Sequence, residues 1–101
     1  MTHLVVTPQA DADASTILAY LNSQAGSRVA ETFARRFRET LTRLLQFPET
    51  GAPCPVFGPQ ARIAIVQPYL MIYDFIRADD TVTLLRILHG RRHITHRLLG
   101  R

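Results

Sequence analysis

Residues 62–93 read RIAIVQPYLMIYDFIRADDTVTLLRILHGRRH, and the fold follows from how that stretch divides. Two short turns, Gln67-Pro68 and Ala78-Asp79-Asp80, separate three runs rich in Val, Ile, Leu, Tyr and Phe. Proline cannot donate to a strand ladder, and aspartate favours turns by bonding nearby backbone. The runs between suit a pleated, half-buried surface, so the stretch predicts a three-stranded antiparallel meander. Side chains two apart share a strand face. The first strand therefore sets Arg62, Ala64 and Val66 against Ile63 and Ile65. The middle strand sets Tyr69, Met71, Tyr73 and Phe75 against Leu70, Ile72, Asp74 and Ile76. In the last strand Val82, Leu84, Arg86 and Leu88 take one face, and Thr83, Leu85, Ile87 and His89 the other. One side of such a meander packs on a core and the other stays at least partly open. An open side carrying Arg62 and Arg86 would meet an anion; equally, each arginine can snorkel its charge to water over a packed stem.

Upstream, Leu4-Val5-Val6 is a short apolar run that reads as a buried strand. Thr7-Pro8 then starts a helix, with threonine as N-cap and proline in the first turn. Asp11 and Asp13 complement the helix dipole there. Ala10, Ala14, Ile17, Leu18 and Leu21 form its inward stripe, and it ends between Asn22 and Gly26. A second helix spans about 27–47 on the stripe Val29, Ala30, Phe33, Phe37, Leu41, Leu44 and Leu45. Its Glu31–Arg35 and Glu39–Arg43 pairs add only ~0.5 kcal/mol each, so the apolar stripe is what secures it. Pro48 stops that helix, and PETGAPCPVFGPQ is too rich in proline and glycine for a helix or a central strand. The order is strand, helix hairpin, then meander with the N-terminal strand added to the sheet: a small α+β fold in one domain, residues 1–101.

Composition narrows the function. A chain of 101 residues supports one core, and 47% hydrophobic content is ordinary for a folded protein. The lone Cys54 has no internal disulfide partner, no apolar run approaches bilayer length, and the N-terminus lacks the build of a signal peptide. These features imply a cytoplasmic protein with no membrane role. The net charge of +4 resides in the second half, and from Leu84 onward there are five arginines, three histidines and no acid. Such an end attracts nucleic acid or an acidic protein. Every one of the 12 Lys+Arg positions is Arg, and arginine does not accept protons near neutral pH. Proton transfer would fall to His89, His93 or His96. His89-x3-His93 and His93-x2-His96 have metal-compatible spacing, but no acid or cysteine stands near them in sequence, so no metal or cofactor is expected. Nothing in the sequence marks Cys54 as a nucleophile.

Several motifs, taken in order, resemble the ParE/RelE superfamily of type II toxin–antitoxin systems. They are Ala10, Asp13-Ala14, Ile17 and Tyr20; the Phe33, Phe37, Leu41, Leu44 register closing on Pro48-Glu49-Thr50-Gly51; Arg62; Tyr69-x-x-x-Tyr73; and Val82-x-x-x-Arg86-Ile87-Leu88-His89-Gly90-Arg91-Arg92. His93 departs from the acid that many ParE-branch members carry. The resemblance implies a toxin wrapped by the amphipathic C-terminal segment of a cognate antitoxin, reaching promoter DNA only through that antitoxin. Its RelE branch implies ribosome-dependent mRNA cleavage, for which Arg62, Arg86, His89 and His93 would be the catalytic candidates. Its ParE branch implies a non-enzymatic inhibitor of DNA gyrase, with Arg62, Arg86, Arg91, Arg92 and Arg97 as target contacts. There is no Lys, no Glu after Gly51 and no aromatic residue after Phe75 to stack a base, which favours the ParE branch. A basic nucleic-acid-binding module, using the arginine tail through Arg101, is the remaining alternative.

Overall fold

A computed structural model describes residues 1–90. Seven elements build it: β1 (His3–Val6), α1 (Pro8–Ala25), α2 (Ser27–Gln46), β2 (Ala52–Pro53), β3 (Ala61–Val66), β4 (Tyr69–Ile76) and β5 (Thr81–His89). They form one five-stranded sheet in the order β1-β5-β4-β3-β2, with β1 parallel to β5 and every other pair antiparallel. The architecture is the expected α+β domain.

Local chemistry explains most boundaries. The Thr7 hydroxyl caps α1 by accepting from the Ala10 N–H, and Pro8 occupies the first helical turn. The same hydroxyl donates to the Leu85 carbonyl at 2.9 Å, so one side chain starts the helix and ties it to the sheet. Gly26, at φ 92°, closes α1 and opens α2 in a single residue, a backbone state that a side chain would resist. Asp80 adopts the left-handed conformation at the β4–β5 turn. Its carboxylate accepts from the Thr2 hydroxyl and its carbonyl from the His3 N–H, which holds the start of β1.

The helix hairpin covers one face of the sheet. Phe37 and Leu44 of α2 and Ala10 of α1 pack on Ala64, Val66, Tyr69, Met71, Tyr73, Val82, Leu84 and Ile87, all buried. Phe33, Phe37 and His89 each meet the Tyr69 ring edge-on. The opposite, outer face is covered only in part, where Phe57 joins Ala61, Ile72 and Leu88.

Four expectations change. The run Leu4-Val5-Val6 is not buried: all four residues of β1 are exposed, because β1 is an edge strand. The Pro-rich connection is not only loop, since Ala52–Pro53 pairs with Ile63 and Arg62 as a second edge, where proline is tolerated. Strict alternation fails in β5. Ile72 pairs with Arg86 but Tyr73 pairs with Leu84, so Leu85 has no partner on β4. An extra residue of this kind reverses the side-chain phase beyond it. Leu84 and Ile87 therefore face the helices, while Leu85 and Leu88 face outward. Finally, Arg62 shares its face with Ala64 and Val66, and that is the helix-covered side, so it does not stand with Arg86 on an open face.

Candidate functional site

Arg62 on β3 and Arg86 on β5 stand on either side of β4, opposite Tyr73 and Ile72, and each meets oxygen acceptors from this chain. Arg62 donates to the carbonyls of Glu49 (2.9 Å) and Gly51 (2.8 Å). Beside it, the Tyr73 hydroxyl donates to the Pro48 carbonyl (2.8 Å) and accepts from the Gly51 N–H (3.0 Å). A fully buried tyrosine needs such partners for its hydroxyl. Burial pushes the Tyr73 phenol pKa up, and the Gly51 bond and the Arg62 charge pull it partly back. The fit leaves no room for a side chain: a Cβ on Gly51 would lie 2.5 Å from Tyr73 Oη and 2.8 Å from the Ile63 carbonyl. Outside the loop, Arg77 donates to both oxygens of Glu49 at 2.7 Å. The Pro48–Gly51 turn is thus fixed from three directions.

On the β5 side, Arg86 forms a forked pair with Asp13 of α1, Nε to Oδ2 at 2.8 Å and Nη2 to Oδ1 at 3.1 Å. Both side chains are mostly buried, at 24% and 16% exposure. Hydrogen bonding to Asp13 holds the Arg86 pKa above its ordinary value. The Asp13 carboxylate also accepts from the Ile87 N–H at 2.9 Å. β1 ends at Val6, opposite Leu84, so beyond that point a helix carboxylate satisfies the edge of β5 where a neighbouring strand would. The sequence showed Asp13 as a dipole-compatible acid and as part of the Asp13-Ala14 motif, without its partners, which are 73 and 74 residues away.

Between α1 and this edge lies an open cleft of about 640 Å³, lined by Asp13, Thr16, Tyr20, Tyr69, Arg86 and His89 among others. Burial, with Tyr20 nearby, raises the Tyr69 phenol pKa. His89 is in the cleft with its ring edge-on to Tyr69. Of the histidines expected to move protons, it alone can be placed; His93 and His96, with Arg91, Arg92, Arg97 and Arg101, lie outside the described residues. No group of three or more His, Cys, Asp or Glu within metal-binding reach occurs among the described residues. No described helix is long and apolar enough to cross a membrane.

The outer sheet face has a different chemistry. Ile63, Ile65, Leu70, Ile72, Ile76 and Leu85 crowd it, and Asp74 is the acid set among them.

Comparison with known proteins bears on these features together. The chain resembles the chromosomal ParDE toxin–antitoxin system of P. aeruginosa at 23% identity and TM-score 0.73, over 88% of this chain and 96% of that one. It resembles the intact E. coli RelBE toxin–antitoxin complex at 16% identity and TM-score 0.60, over 91% of this chain and all of that one. The isolated E. coli RelE toxin matches at 15% identity and TM-score 0.59, over 99% and 96%. At these identities the likenesses establish the fold. No curated protein sequence matches. The family profile for the ParE toxin of the type II toxin–antitoxin system parDE matches residues 4–94. That match takes in both edge strands, both arginine sites and the helix hairpin, and the chain belongs to the ParE toxin family.

Proposed function

We propose that this ParE-type toxin acts in the cytoplasm by binding DNA gyrase, without catalysis of its own, and that a cognate antitoxin neutralises it. The supporting observation is that Arg62 and Arg86, which flank β4 opposite Tyr73 and Ile72, each commit a guanidinium to internal oxygens on a different element, Arg62 to the turn after α2 and Arg86 to α1. A ribonuclease clamp needs cations converging on one phosphate, with a proton donor and acceptor in reach of it. The outer face instead offers isoleucine and leucine side chains around one acid. Binding to a protein suits that composition better than gripping RNA, which asks for cations and stacking rings.

The test sets two targets side by side. Purified toxin is added to a gyrase supercoiling assay and to a reconstituted translation system. Supercoiling should stall, and addition of the antitoxin encoded beside the toxin should restore it, with translation intact. Codon-specific cleavage of messenger RNA while supercoiling proceeds would overturn the proposal.

A further inference from the structure

Asp74 occupies an unusual position. Ala61 of β3 and Thr83 of β5 flank it across the sheet, and Ile72 and Ile76 flank it along β4. No titratable or charged side chain occurs at any of those four positions. The nearest arginines in sequence and register are engaged elsewhere: Arg77 binds the Glu49 carboxylate, and Arg62 lies on the inner face against the Glu49 and Gly51 carbonyls. Its backbone takes part in the ladder, but among the described residues the Asp74 carboxylate makes no hydrogen bond or ion pair. Its surroundings raise the carboxyl pKa, and the cause is burial. The rest of the face is apolar and unevenly covered, with Ile65 61% exposed and Ile63, Leu70, Ile76 and Leu85 only partly buried.

A half-buried carboxylate in such a place costs the free protein stability, because it loses part of its hydration and gains no partner. An apolar replacement would pack better. A cation delivered from outside would reverse that balance, since a charge pair in a water-excluded interface is much stronger than one on an open surface. Resting on the reading that an antitoxin neutralises this toxin, we infer that the outer sheet face docks an apolar segment of the antitoxin, and that one Lys or Arg within that segment pairs with Asp74. Charge complementarity selects this occupant. A wholly apolar segment would seal Asp74 away unpaired, and an acidic one would meet like charge. A single buried polar pair within an apolar contact also sets register and excludes partners that lack the matching charge. Asp74 would then separate the cognate antitoxin from others of similar shape.

The experiment measures antitoxin affinity and free-toxin melting for three toxins: wild type, Asp74→Asn and Asp79→Asn. The Asp79 variant removes the same unit charge from the exposed β4–β5 turn. Asp74→Asn should weaken binding about tenfold or more while the free toxin melts no lower than wild type. Asp79→Asn should leave affinity unchanged. A single Lys or Arg in the antitoxin, changed to Glu, should lose binding to wild type and regain it with Asp74→Lys. Unchanged affinity in Asp74→Asn, or an equal loss in Asp79→Asn, would overturn the inference while leaving neutralisation standing. Failure of wild-type toxin to bind the antitoxin at all would overturn the neutralisation reading itself.

Discussion

The two faces of the sheet are built from alternate residues of the same strands, yet they have opposite characters. The inner face is finished. Met71, Tyr73, Val82 and Leu84 are sealed beneath the helix hairpin, and the Tyr73 hydroxyl and the Asp13–Arg86 fork both find their partners within the chain. The outer face is unfinished: an exposed Ile65, several half-buried aliphatic side chains, and a carboxylate with no partner among the described residues. Small domains lack enough chain to cover both sides of a sheet, and this one gives its helices to one side. The difference separates residues that hold the fold from residues available to something else.

The contrast is most easily broken from the inside. Leu44→Ala empties a fully buried site between α2 and the sheet, and should cost about 2–5 kcal/mol in chemical denaturation. A loss below 1 kcal/mol would mean that the hairpin is not packed as described. Asp13→Ala comes next. It strands a mostly buried guanidinium and leaves the Ile87 N–H without its acceptor, for a loss of about 2–3 kcal/mol. Asp13→Asn keeps an acceptor oxygen and should lose less; equal losses would show that charge, not the edge-satisfying bond, is what matters there. On the exposed rim, Arg77→Ala breaks a pair whose side chains are 77% and 49% exposed, and should shift stability by no more than about 0.5 kcal/mol.

The outer face sharpens the comparison with effects that are smaller still and of different sign. Ile65→Ser should leave the free toxin within about 0.5 kcal/mol of wild type, because the side chain is already mostly in water. Asp74 should show itself through pH. Its folded-state pKa lies above the ordinary carboxylate value, so its contribution favours folding below that ordinary value and is lost as pH rises through the raised one. Denaturation across the acidic range should therefore find Asp74→Asn gaining on wild type as pH increases. A constant difference would mean that the carboxyl is not perturbed by burial.

Much of this was legible in the amino-acid order. Thr7-Pro8, Gly26 and Pro48 mark helix ends by local backbone chemistry, and the helices run 8–25 and 27–46. The Gln67-Pro68 and Asp79-Asp80 turns divide the meander, and the two faces of β4 alternate as its sequence implies. The candidate site was less legible. Arg62 and Arg86 stood out as charges in apolar runs, but their acceptors are a loop carbonyl pair 11 and 13 residues away and a carboxylate 73 residues away. Periodicity carries no information about such partners.

What the sequence determined by itself was the two helices, the strands β1, β3, β4 and β5, their order, and the buried faces of the helices and of β4, because these follow from backbone preference and from side-chain spacing within a few residues. Tertiary structure alone decided three things. It made Leu4-Val5-Val6 an exposed edge, because which strand lies outermost depends on how the whole sheet is ordered. It placed the unpaired Leu85 in β5, which sends Leu84 and Leu88 to opposite faces, because register is a property of two strands and not of one. And it turned Arg86 toward Asp13, because β1 stops short and a carboxylate from α1 is the acceptor within reach of the open edge.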